Sequence, residues 1–143
     1  MSNDMIKDIH EMHKKYGVHD WVQKQFIDRN DANLKEFLQF RMDFVQEEFI
    51  ETLKAVAEGD SEEVVDGLID IIVVALGTLD AFSVDSQKAW DEVLKANLAK
   101  EVGVKPERPN PLGLPDLIKP EGWTAPSHDG NHGHLPDVIQ KHI

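Results

Sequence analysis

Apolar residues recur at helical spacing through most of the first hundred positions. Met5, Ile9, Met12 and Tyr16 are three and four residues apart and predict a helix over residues 3–16, stopped by Gly17. Residues 18–30 show only isolated anchors, Trp21, Val22 and Phe26, and read as a connection. A longer stripe follows from Asp31 to Ala57, capped by Asn30 or Asp31: Leu34, Phe37, Leu38, Phe44, Val45, Thr52, Ala55 and Val56 share a face with Arg41 and Glu48. Gly59 and Asp60 interrupt it. A third helix is expected from Ser61 to Phe82, capped by Asp60 or Ser61, with Glu62 and Glu63 in the first turn, where the helix dipole favours negative charge. From Leu68 to Leu79 it is apolar nearly all round, which predicts burial on most sides, and Gly77 and Thr78 suit close approach by a neighbour. A fourth stripe, Ala89, Trp90, Val93, Leu94, Leu98 and Val102, predicts a helix from Asp85 to Val102 ended by Gly103.

After residue 104 the composition changes, and all 7 prolines of the chain lie there. The expected organisation is an all-α domain over residues 1–103 and a Pro/Gly-rich tail over 104–143 that wraps its surface, with a short helix from Pro136 to His142. His10 and His13 read as two exposed helix histidines, and His128, His132 and His134 as members of a mobile loop. The length of 143 residues suits one core. A formal net charge of −12 argues against binding a nucleic-acid polymer, which needs a basic surface. There is no cysteine, the N-terminus is polar and acidic, and the apolar run over 68–79 is too short to span a bilayer. These features predict a cytoplasmic protein with no membrane partner.

The chemistry concentrates in residues 47–70. At roughly 100° per residue, Glu47, Glu48 and Glu51 fall within an arc of roughly 100°, and Glu63, Asp66 and Asp70 within roughly 60°. Two antiparallel helices joined at Gly59 turn these sets toward each other. Facing carboxylates repel, and the arrangement calls for a cation. A donor set of oxygens alone selects a hard ion, Mg²⁺ or Mn²⁺, which also accepts phosphate oxygens. Attack of an activated water on phosphorus with pyrophosphate leaving is chemistry such a site supports. A di-iron carboxylate bundle uses Glu-x-x-His pairs, and the sequence has none. The bland alternative is a set of solvent-facing helix acids.

Glu47-Glu48-Phe49-Ile50-Glu51 followed by acids on the next helix resembles the EExxE…ExxD pattern of the all-α nucleoside triphosphate pyrophosphohydrolases. That group includes MazG-like proteins, dimeric dUTPases and phosphoribosyl-ATP pyrophosphohydrolase. The resemblance covers roughly residues 20–102. Asn97 and Lys100 are similar to the N-x-x-K of MazG-like members, and Lys119-Pro120-Glu121-Gly122-Trp123 looks like the tail of short ones. The second motif departs from the pattern. In one register Asp70 takes the Asp place and Gly67 the Glu place, with Asp66 substituting one residue earlier. In the other, Glu63-Val64-Val65-Asp66 is a literal ExxD behind a shorter spacer.

The resemblance implies an oligomeric four-to-five-helix bundle, a homodimer or homotetramer, that cleaves a nucleoside triphosphate between the α and β phosphates. Glu48, Glu51, Asp66 and Asp70 are expected to hold Mg²⁺, with Glu63 available for a further ion. Glu47 is the candidate to orient or deprotonate water. Arg41 is expected either at phosphate or in an ion pair with a carboxylate. Asn97 and Lys100 are expected at phosphate or sugar, and Trp123 either over the site or pinning the tail. Two alternatives stand beside this: phosphoribosyl-ATP hydrolysis by the same fold, and a non-catalytic acidic helical interaction module.

Overall fold

The computed structural model describes residues 4–139, and those residues are mostly helical. Helix α1 runs Met5–Tyr16. The Asp4 carboxylate accepts from the N–H groups of Ile6 and Lys7, and Gly17, at φ 72°, closes the other end in the left-handed conformation that glycine adopts without strain. The chain then re-enters a helix at once, α2 over Val18–Ile27, where the sequence suggested only a connection. The isolated anchors explain it, since Val18, Val22 and Phe26 recur every four residues and meet one core.

Helix α3 spans Asp31–Glu58, capped by the Asn30 side chain, and α4 spans Ser61–Ala81, capped by Asp60. Gly59 and Asp60 alone link them, so the two helices pack as an antiparallel hairpin. The core gathers Val22, Leu34, Ala81, Phe82 and Val138, with Phe37 and Leu38 against it. Val138 belongs to a four-residue helix, α6 over Leu135–Val138, anchored where the His134 N–H donates to the Phe82 carbonyl at 2.7 Å. The sequence suggested a final helix reaching His142; residues 140–143 lie outside the described residues.

Two expectations are corrected. His13 is not an exposed histidine: α1 packs on α4, and its ring is buried against the C-terminal end of that helix. The all-round apolar stretch of α4 is not buried on most sides in the single chain, because its packed neighbours leave one flank uncovered. Leu68 and Ile69 are more than half exposed, as are Phe49, Ile50 and Leu53 on α3.

The described residues divide into two compact units, one running to Ser86 and resumed from His132, the other Gln87–Asn131. In the second, α5 covers Ser86–Leu98, shorter than the stripe suggested. Val102 lies instead in a three-residue strand, β1 (Glu101–Gly103), antiparallel to β2 (Asp116–Ile118), with Val102 opposite Leu117. The Ile118 side chain fills the space that a Cβ on Gly103 would need, which pins that register. Among the described residues no helix is long and apolar enough to cross a membrane.

Candidate functional site: a carboxylate cluster on the helix hairpin

The α3–α4 hairpin is held closest where neither helix carries a bulky side chain. A Cβ on Gly67 would run into the Thr52 hydroxyl, and that hydroxyl donates at 2.7 Å to the Glu48 carbonyl one turn back. Both residues are buried. Glu48 therefore sits one turn from the contact on α3. Asp66 and Asp70 flank it on α4.

This packing brings four other expected acids together around Glu48, five in all. Its carboxyl is pushed above the ordinary range, first by loss of solvent and then by the negative charges of Asp70, Glu51, Glu47 and Asp66, in that order. Every one of these influences acts in the same direction. Among the described residues no ion pair reaches any of the five. Glu48 and Asp70 are half-buried, while Glu47, Glu51 and Asp66 are exposed. Glu63 lies one turn nearer the hairpin link, exposed, with its N–H bound by the Asp60 carboxylate at 3.1 Å.

The contact at Gly67 also accounts for the irregular second motif. In the register with the longer spacer, Gly67 stands in the Glu place, and Thr52 fills the volume where that side chain would begin. The acid available on this face is then Asp66, next to the glycine and one turn before Asp70.

Among the described residues no carboxylate forms an ion pair with Arg41. Its Nε donates to the Thr78 hydroxyl at 3.0 Å and its Nη2 to the Val74 carbonyl at 3.0 Å. Thr78 in turn donates to that same carbonyl at 2.7 Å. Gly77 makes room for the guanidinium and for the His13 ring, as its lack of a side chain suggested. Burial lowers the Arg41 pKa, and the group serves as a strut between α3 and α4.

Asn97, Lys100 and Trp123 belong to the second unit. Asn97 is exposed on α5. The Trp123 indole N–H donates to the Ala96 carbonyl at 2.7 Å, and the Lys100 and Lys119 ammonium groups lie 5.4 and 5.1 Å from the ring centroid. These contacts pin the tail segment to α5 and place two cations against one aromatic ring.

Sequence reasoning missed one feature of the first unit. Asp80, near the end of α4, collects hydrogen bonds from His10, His13 and His19. The only signal was an acid closing an apolar helix.

Residues 21–97, more than half of the chain, match a family model described as phosphoribosyl-ATP pyrophosphohydrolase. Comparison with curated proteins gives no match.

Proposed function

The chain belongs to the phosphoribosyl-ATP pyrophosphohydrolase family, within the all-α MazG-like superfamily, and is thus a hydrolase acting on phosphoric anhydrides of a nucleotide-like substrate; from that premise we propose that it cleaves nucleoside triphosphates between the α and β phosphates with the help of Mg²⁺. One observation carries this reading. Four carboxylates crowd Glu48 with no cationic side chain among them, an arrangement that costs stability until a cation is bound. Family membership removes the non-catalytic interaction module from consideration.

The residues fit a hard divalent ion. The donors are all oxygens, they come from two helices held at close range, and several remain open to solvent, as an ion that keeps waters and takes phosphate oxygens requires. Glu48, Glu51, Asp66 and Asp70 are assigned to hold Mg²⁺ or Mn²⁺, with Glu63 beside them for a second ion. The bound metal supplies charge neutralisation of the phosphates and of the departing pyrophosphate. Glu47, exposed at the edge of the cluster, takes the proton of the attacking water. The water oxygen bonds to the α phosphorus as the bond to the α–β bridging oxygen breaks, and pyrophosphate leaves. Asn97 and Lys100 are proposed to bind phosphate or sugar, and Trp123 to hold the tail in place beside them.

Assembly into a homodimer or homotetramer belongs to the same proposal. Phe49, Ile50 and Leu53 on α3 and Val65, Leu68 and Ile69 on α4 expose apolar surface of the kind that subunit contacts cover. A cytoplasmic location is part of the same proposal; no described helix is long and apolar enough to cross a membrane.

The family description itself favours a second reading, in which the substrate is phosphoribosyl-ATP. Phosphorus NMR of products from a panel of NTPs, dNTPs and phosphoribosyl-ATP with Mg²⁺ separates the two. Monophosphate and pyrophosphate from the wild type, and none from Glu48→Gln, are expected. Diphosphate with orthophosphate would mean attack at the γ phosphorus and would sink the mechanism. Turnover of phosphoribosyl-ATP alone would establish the second reading.

A further inference from the structure

At the far end of α4 from the hairpin link, three helices converge on one carboxylate. His10 Nδ1, on α1, lies 2.8 Å from Asp80 Oδ1. His13 Nδ1, also on α1, lies 2.9 Å from Asp80 Oδ2, and His19 Nε2, on α2, lies 2.7 Å from the same oxygen. The cluster forms one wall of an open cleft of about 540 Å³ lined also by Asp20, Ser83 and Asp85. The four side chains differ in access. His13 is enclosed, at 4% exposure, Asp80 is at 14%, and His19 and His10 open outward at 29% and 54%.

We propose that His10, His19 and Asp80 form a metal site for a borderline divalent ion, Zn²⁺ in the first instance, with the fourth position open to the cleft. The donor atoms one per residue already lie within 4.8 Å of one another. Tetrahedral Zn²⁺ with bonds of about 2.0–2.1 Å sets its ligands about 3.3 Å apart. The closest pairs here stand at 2.7 and 2.8 Å as hydrogen bonds, so binding asks each histidine to lose a proton contact and draw back by about half an ångström. Two imidazoles and one carboxylate select Zn²⁺ over Mg²⁺, the opposite of the all-oxygen cluster on the hairpin.

Two further features support a cation at this place. Asp80 lies in the last turn of α4, where unpaired carbonyls and the helix dipole favour positive charge. His13 keeps its hydrogen bond to Asp80 Oδ2 from within the protein and orients the carboxylate, the usual duty of a group behind a metal ligand. The remaining charged groups facing the cleft, Asp20 on α2 and Asp85 after α4, are both acidic. A bound ion would clip α1, α2 and α4 together through one residue of each. The site shares no ligand with the hairpin carboxylates, and the inference stands whether or not the proposed reaction is correct.

The test is calorimetric titration of the full-length chain with Zn²⁺ in excess Mg²⁺, repeated in Glu48→Gln to take the hairpin site out. One Zn²⁺ per chain is expected in both. His19→Ala or His10→Ala should weaken it by more than about 100-fold, the loss expected for a direct ligand when even an outer partner costs 10–100-fold. His10 is exposed, so His10→Ala keeps the fold intact and the result interpretable if His19→Ala does not. Cobalt(II) substitution gives an independent reading: visible absorption typical of nitrogen ligation in Glu48→Gln and its loss in His10→Ala. Zn²⁺ binding that survives both histidine variants, or that vanishes in Glu48→Gln alone, would overturn the site. So would no binding at all, which would leave a hydrogen-bonded cluster only.

Discussion

Asp70 and Asp80 lie on the same helix, about 15 Å apart along its axis, and the protein gives them opposite surroundings. Asp70 is one of the carboxylates that act on Glu48, whose pKa is raised first by burial and then by their charge. The groups around Asp80 are histidines. Burial alone would raise the Asp80 pKa, but hydrogen bonds from His10 and His19, together with their charge, hold it below the ordinary range. Near the middle of α4 the acids crowd together with no cationic side chain among them. Near its C-terminal end three histidines hydrogen-bond to Asp80. The difference separates crowded like charges from a hydrogen-bonded cluster that joins helices, a distinction burial alone would not reveal, since both aspartates are only partly covered.

The largest expected effect is on turnover. Asp70→Asn should lower kcat/KM by more than about 100-fold, because a direct metal ligand should cost more than the outer partners that cost 10–100-fold. Asp80→Asn should leave it within a few-fold. Steady-state rates on the preferred nucleotide check both, and equal losses in the two variants would erase the contrast.

Melting with and without Mg²⁺ comes next. At a Mg²⁺ concentration 100 times its Kd the wild type should gain about 2.7 kcal/mol. Asp80→Asn should gain the same, and Asp70→Asn almost nothing. In EDTA the order reverses. Asp70→Asn removes a repelled charge and should melt no lower than wild type, whereas Asp80→Asn leaves histidine donors poorly matched and should cost about 1–3 kcal/mol. Differential scanning calorimetry reads all six values.

The smallest effect is on pH dependence. Burial first, and then Arg41, keep the His13 pKa below its ordinary 6.5 against the opposing pull of Asp80. In metal-free protein the unfolded chain therefore binds more protons than the native one just below 6.5, and stability should rise with pH up to that value and level off above it. Asp80, held below its ordinary 3.8, adds a further loss only in stronger acid. Urea midpoints across this range should show the slope, and His13→Gln should flatten it.

The hairpin was legible because its signals are local. Asn30 and Asp60 cap as their side chains allow, Gly17 and Gly59 stop helices with positive φ, and EExxE spacing fixes a helical face by geometry alone. Helix α2 was hidden because its few anchors are spaced by polar residues and it starts without a side-chain cap. The β1–β2 pair was hidden because Val102 fits the end of a helical stripe as well as it fits a strand facing Leu117. The histidine cluster was illegible for a different reason. Its members lie 61 to 70 residues from Asp80 in sequence, and only the packing of α1 and α2 on α4 brings them there. The exposed apolar flank of α4 shows the reverse limit: residues patterned for burial do not reveal whether their own chain covers them.

The contact between Thr52 and Gly67 acts as a calliper. It sets how near the two carboxylate-bearing helices stand at that point and so, in the proposed metal site, the radius of the ion their side chains would grip without strain. Mg²⁺ needs oxygens at about 2.0–2.1 Å, and Ca²⁺ takes them at about 2.3–2.6 Å. Gly67→Ala would force the jaws apart at a cost of about 1–3 kcal/mol from overpacking. A metal preference moving from Mg²⁺ toward larger ions, read as the ratio of turnover with Mg²⁺ to turnover with Mn²⁺, is the expected signature. On this account the discrimination between cations of equal charge is set by a hydrogen atom where other residues carry a carbon.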